Sequence, residues 1–165
     1  MTEAQAFAKA LIGDKIVRPE TLSWVHDRSG AALFLAREDG RLTGVWAALL
    51  LSEAGVRACQ EDRFDGLDPD PEHVADKGSD PAGVYAWGIA AATRDTARRL
   101  VAAGEAVDLA ALVHLPAFTR PVTEAGLRLA VERRGFRPVA GSRTGLYWVD
   151  PHARLSDAPR SDVAA

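Results

Sequence analysis

The chain has 165 residues, 47% of them hydrophobic, which is enough for one domain with a substantial apolar core. Its 20 basic and 23 acidic residues give a formal charge of -3 and form no dense basic patch, which argues against nucleic acid as a partner. Cys59 is the only cysteine, which excludes an internal disulfide and a thiolate zinc cluster; no segment approaches the length of a membrane span, so the expectation is a soluble cytoplasmic protein with no membrane partner.

At the start of the chain Thr2 can cap a helix with Gln5 reaching back to it. Ala4, Phe7, Ala8, Leu11 and Ile12 then recur at helical spacing until Gly13. Pro19 suits the first turn of a second helix carrying Leu22, Trp24 and Val25, which closes between Asp27 and Gly30. Residues 31–37 and 42–51 read as strands joined by an Asp39-Gly40 hairpin turn, and residues 52–60 as a short helix with Val56 and Cys59 inward. Acids then crowd the chain from Glu61 to Asp80, among Pro69, Pro71 and Pro81. This composition predicts a long surface loop outside the core.

Residues 84–91 and 109–115 are nearly continuous apolar runs, separated by a helical pattern from about Thr93 to Ala103 with Gly104 just past its end. They predict a right-handed βαβ unit with parallel strands, whose ligands sit at the carboxyl ends of the strands. Thr123 can cap a further helix, with Val122 and Leu127 at the spacing of a hydrophobic staple. Gly135 suits its closing position and would fold Phe136 back onto Val131. Residues 137–140 and 146–149 read as a last hairpin. The predicted fold is α/β (α+β): a central mixed sheet, two N-terminal helices, a βαβ core and a C-terminal β-hairpin. Residues 1–150 form a single domain and residues 151–165 a flexible tail. No Walker loop, dinucleotide fingerprint or Gly-x-Ser-x-Gly elbow occurs. His26, His73 and His152 lack metal-ligand spacing, so no metal is expected.

The order helix, helix, hairpin, strand, helix, strand, helix, hairpin resembles the GNAT superfamily of acyl-CoA-dependent N-acetyltransferases. The run Thr123-Glu-Ala-Gly-Leu-Arg-Leu-Ala-Val-Glu-Arg-Arg-Gly-Phe-Arg-Pro-Val139 looks like that family's last helix and the Gly-Phe step into its final strands. The likeness spans residues 31–150 in element order and the final third in wording. It implies a GNAT-like fold and, as cosubstrate, acetyl-CoA or another acyl-CoA. The pantetheine arm would lie where the central strand and the next parallel strand splay apart, and the pyrophosphate would rest on the start of the helix between them.

The implied cofactor-binding residues are Gly88, Ile89, Ala90 and Ala91 on the strand and Thr93, Arg94, Asp95, Thr96 and Ala97 at the helix start. Strand N–H groups near Gly88 to Ala90 would polarise the thioester carbonyl. The chain departs from the family in two places. Asp95 stands where the central glycine of the phosphate loop belongs, and a carboxylate there competes with pyrophosphate for helix N–H groups, although Arg94 can offset it. Val131 stands where many members carry a tyrosine that protonates the departing thiolate.

Three residues are candidates for the proton chemistry. His114, expected at the carboxyl end of the second parallel strand, could serve as base, or be a buried histidine bonded to a backbone carbonyl. Tyr85, with Trp87 alternate to it, could supply an acid or wall a pocket; Tyr147 is a further tyrosine near the expected gap. Glu53 could be a base or a solvated helix-start carboxylate. The acidic stretch could draw a small-molecule amine or a basic protein segment to the gap, or simply solubilise the chain. Two functions stay open: a divergent N-acyltransferase working by direct attack of an amine on acyl-CoA, and a non-catalytic GNAT-like domain binding a protein or small ligand. The free edge of either hairpin offers a surface for a homodimer.

Overall fold

The computed structural model describes residues 2–13, 16–30, 33–107 and 112–151. Asp39 and Gly40 both take positive φ, 50° and 78°, the backbone of a tight turn whose twist suits a two-residue hairpin. It joins β1 (Leu33–Glu38) to β2 (Arg41–Leu51), with Glu38 opposite Arg41. β2 pairs antiparallel with β3 (Gly83–Ala91), and β3 pairs parallel with β4 (Ala117–Thr119). The last hairpin supplies β5 (Arg137–Pro138) and β6 (Tyr147–Val149), and β6 lies antiparallel to β4. The result is a six-stranded mixed sheet in the order β1-β2-β3-β4-β6-β5.

The helices are α1 (Thr2–Ile12), α2 (Pro19–Ser29), α3 (Glu53–Gln60), α4 (Arg94–Val107) and α5 (Glu124–Arg128), the last continuing as a π-helical turn over Leu129–Arg133. Among the described residues no helix is long and apolar enough to cross a membrane. Two local signals act as the spacing predicts: Gly30 closes α2 at φ 76°, and the Thr123 hydroxyl accepts the Gly126 N–H at 3.0 Å; the Ser52 hydroxyl, not expected, caps α3.

Both faces of the sheet are covered, because successive side chains of a strand point to opposite sides. On one face Leu49, Leu51, Tyr85 and Phe118 pack with Leu22 and Val25 of α2 and Cys59 of α3. On the other, Ala48, Val84, Ala117 and Val149 meet Ala130 and Phe136. Ala4 of α1 closes a third cluster with Val45 and Ala90.

Four expectations are corrected. The second parallel strand is Ala117–Thr119 and not residues 109–115; residues 108–111 lie outside those described, and Leu112 and Leu115 bound a turn closed by the Leu115 N–H on the Leu112 carbonyl at 2.9 Å. The apolar run misled because α4 continues past Gly104. That glycine is buried inside the helix beside the Trp46 ring, which a Cβ there would meet at an ordinary 3.5 Å, and it does not end the helix.

The second correction concerns residues 61–80, which send Phe64, Val74 and Ala75 into the core while most of the segment stays exposed. Phe64 and Val74 are each only 1% exposed, Val74 bridges to Leu51, and Ala75 donates to the Leu50 carbonyl. The acids organise this segment: Asp70 caps a single 3-10 turn at Pro71–His73, Asp68 pairs with Arg18 at 3.2 Å, and Asp76 pairs with Arg28 at 3.0 Å. Third, the Gln5 amide donates to the Val17 carbonyl at 2.9 Å and so ties α1 to the chain ahead of α2, instead of closing a capping box. Fourth, Phe136 folds back onto Ala130, to whose carbonyl its N–H donates, while Val131 is 41% exposed. The π turn shifts the inward face of the helix.

Candidate functional site: a split between parallel strands

β3 and β4 stay together for three pairs only, Val84 with Ala117, Tyr85 with Phe118 and Ala86 with Thr119. β4 then runs into Arg120 and Pro121, and a proline has no N–H to extend a ladder. β3 continues to Ala91, so from Trp87 onward the edge that would face β4 has no strand partner among the described residues. The register on the β2 side slips at the same place: Ala47 faces Gly88 and Ala48 faces Ala86, which leaves Trp87 as the extra residue of a bulge. Gly88 takes φ 154°, a conformation side-chain-bearing residues avoid, with nothing within 4 Å of where a Cβ would stand.

Cavities open on both sides of this split. One, of about 170 Å³, lies on the α4 and α5 face between Trp46, Val101, Gly104, Leu129 and Phe136. The other, of about 480 Å³, lies on the α1 face, walled by Ala4, Val17, Leu22, Val45 and Tyr85. Trp87, Gly88, Arg120, Pro121 and Val122 line both, so the cavities meet where the strands part.

The residues singled out from sequence distribute unevenly over this geometry. Gly88 and Ile89 line the smaller cavity, and Ala90 lines the larger. Ala91, Thr93, Arg94, Asp95, Thr96 and Ala97 line neither; they form the turn out of β3 and the start of α4. The seat at the head of α4 is taken by Thr93 and not by Asp95: the Thr93 Oγ1 accepts the Thr96 N–H at 3.1 Å. Thr96, 1% exposed, directs its hydroxyl to the Glu38 carboxylate at 3.3 Å, and Arg99 pairs with both Glu38 and Asp95. The Asp95 carboxylate is thus drawn along the helix towards Arg99, 3.2 Å away, and first-turn N–H groups of α4 stay without intrahelical acceptors.

Tyr85 is 4% exposed, with its ring 4.9 Å from that of Phe64 and its hydroxyl packed against Gly66. Burial raises its pKa, against a lowering pull from Arg120, so the phenol stays protonated. The Trp87 indole donates to the Gly66 carbonyl at 2.5 Å, which fastens residues 64–67 over the larger cavity.

His114 is exposed in the turn before β4, on the side where β3 begins and not where it parts from β4 at Gly88. This corrects the expectation of a strand-end histidine beside the gap. Glu53 is at that same end, exposed at the start of α3 and 3.8 Å from Arg57. Tyr147 pairs with Thr119 in the sheet and lines neither cavity. The split therefore gathers Tyr85, Gly88, Ile89 and Ala90, and leaves His114 and Glu53 apart.

Three polar residues at the split were not singled out from sequence. Arg120 donates from Nε to the Thr144 hydroxyl at 3.0 Å and from Nη2 to the Phe64 carbonyl at 2.6 Å, and Asp65 and Gln5 line the larger cavity with it. The signal for Arg120 was present: Pro116 and Pro121 bracket Ala117–Thr119, and a strand read there puts Arg120 at its carboxyl end, where ligands of parallel strands bind. Below it Asp62 accepts from the Ser142 and Thr144 hydroxyls and the Arg143 and Thr144 N–H groups, which locks the 142–144 loop onto residue 62. Cys59 is fully buried, and burial pushes its thiol up to about 12, which rules it out as a nucleophile at neutral pH. Among the described residues no three of His, Cys, Asp and Glu gather as metal ligands. Compared with known proteins, the chain matches no family model, no curated protein and no solved structure.

Proposed function

We propose that this chain is a divergent N-acyltransferase with a GNAT-like fold, moving an acyl group from acetyl-CoA or another acyl-CoA directly to an amine. The observation that carries the reading is the split itself: two cavities on opposite faces of one sheet meet at Gly88. Direct transfer needs two substrates to converge on one carbonyl from separate entrances, held at near-contact distance. The thioester lies in the split from the α4 and α5 side, its carbonyl against the free edge of β3 at Gly88 and Ile89, and the pyrophosphate rests on the first turn of α4. The amine enters from the larger cavity, its nitrogen lone pair attacks the carbonyl carbon, the C–S bond breaks, and the proton lost by the amine ends on the thiol of CoA. Tyr85, kept protonated by burial, suits a hydrogen-bond donor in this step and not a base.

A non-catalytic binding domain is the second reading. The observations favouring it are the Glu38, Asp95 and Arg99 cluster beside the phosphate seat and the distance of His114 from the split. A thermal-shift titration with acetyl-CoA, CoA and a longer acyl-CoA separates the two. A ligand of the folded state at a hundred times its Kd adds about 2.7 kcal/mol of stability. A saturable rise, larger for an acyl-CoA than for CoA, is expected; no rise up to millimolar ligand moves the assignment to the binding domain.

A further inference from the structure

The larger cavity carries two opposite charges that do not meet. Arg120, half-buried, is held by the neutral Phe64 carbonyl and Thr144 hydroxyl, and no carboxylate lies within ion-pair distance of it among the described residues. Asp65 accepts the Leu67 N–H through Oδ1 at 2.8 Å and likewise has no cation partner among them. Both groups line the larger cavity, and both act electrostatically on the Tyr85 hydroxyl within it. Each side chain is fixed by a neutral partner, so the two charges are held ready and neither is neutralised. A guanidinium has more N–H donors than these two bonds use, and its fork matches a carboxylate.

Gln5 also lines this cavity, with its Nε2 donating to the Val17 carbonyl at 2.9 Å. The remaining walls are apolar: Ile12, Val17, Leu22, Leu33 and Val45.

We infer that the larger cavity binds a free α-amino acid with an apolar side chain. Its carboxylate sits on Arg120, its nitrogen is drawn by Asp65, and its side chain lies along the apolar wall. The role of this amino acid as acyl acceptor rests on the acyltransferase reading; its binding does not. Neither charge alone specifies this ligand. A simple amine leaves Arg120 uncompensated, and a simple carboxylate leaves Asp65 so.

The test is isothermal titration of the full chain, without any CoA, using L-leucine, L-phenylalanine, their carboxylate-free counterparts isoamylamine and phenethylamine, and the amine-free 4-methylpentanoate. At least one amino acid is expected to bind saturably, about tenfold to a hundredfold tighter than its matching amine, the range for a charged hydrogen bond. Arg120→Gln should bring the amino acid down to the level of the amine, and Arg120→Lys should keep part of the difference. Because Arg120 also braces residue 64, the wild-type comparison of amino acid with amine decides the matter if the variants fail to fold. Equal affinity for both, or no binding of either amino acid at millimolar concentration, overturns the inference. Release of CoA thiol from acetyl-CoA is then followed with the same compounds. Amino-acid binding without thiol release defeats the acyltransferase reading and leaves this site standing. Thiol release with the amines and not the amino acids upholds the acyltransferase reading and defeats the amino acid's role as acyl acceptor.

Discussion

Phe64 gives the sharpest test of how residues 61–80 are built. The segment looks like solvated loop by composition, yet Phe64 is 1% exposed, packs between the Tyr85 and His73 rings at centroid distances of 4.9 and 5.8 Å, and its carbonyl holds Arg120. Phe64→Ala removes the ring and leaves a cavity that backbone pinned on both sides cannot collapse, so the loss should be about 3–5 kcal/mol. Domains of this kind have about 5–15 kcal/mol in total, so the variant should still fold but with much of its margin gone. In urea, with a slope of about 2 kcal/mol per molar, the midpoint should fall by about 2 M with the slope unchanged. Leu67→Ala, three residues on and 47% exposed, is the control and should cost less than about 0.5 kcal/mol. If the two variants lose the same small amount, the segment is not part of the core, and the braces on Arg120 and Trp87 described above have no foundation.

The same substitution at two glycines should act with opposite sign. Gly55→Ala drives a Cβ to 2.2 Å from the His73 carbonyl oxygen and should cost more than about 2 kcal/mol, whereas Gly104→Ala makes ordinary 3.5 Å contact with Trp46 and should gain up to about 1 kcal/mol of helix stability, both read by denaturant melts. Asp95→Gly should tighten CoA about two- to fivefold at low salt, and Asp95→Lys more, while the exposed pair with Arg99 is lost at little cost; unchanged affinity in calorimetry would mean that the pyrophosphate does not sit on α4. The Asp62 carboxyl is held down to about 2 from its ordinary 3.8 by the Thr144 hydroxyl first, then by the Ser142 hydroxyl and two backbone N–H groups. A carboxyl with a lowered folded pKa stabilises above its unfolded value, and that contribution drains away as pH falls from about 4 to about 2. Asp62→Asn should therefore have a flatter acid limb in thermal melts over that window, and an unchanged limb would remove Asp62 from the account of the 142–144 loop.

Much of the architecture was written locally. The close of α2 at Gly30, Asp39-Gly40 as a tight turn and Thr123 as a cap each depend on residues a few positions apart, so spacing alone located them. The course of β3 was legible for the same reason, since a continuous apolar run can satisfy its backbone only inside a sheet, whereas the open edge near Gly88 was expected only from the family resemblance. What the chain did not disclose was where tertiary contact overrode a local cue. Gly104 reads as a helix end and became the floor for Trp46; the acids and prolines of residues 61–80 read as solvent-facing and became a clasp around Phe64 and Val74. The apolar residues Leu112 and Leu115 read as strand and became a turn, and the strand that pairs with β3 is Ala117–Thr119 instead. The polar corner of the larger cavity lay beyond local spacing, although the prolines around Ala117–Thr119 pointed to Arg120. Asp65, Arg120 and Thr144 are far apart in the chain, and only the closing of the sheet puts them around one space.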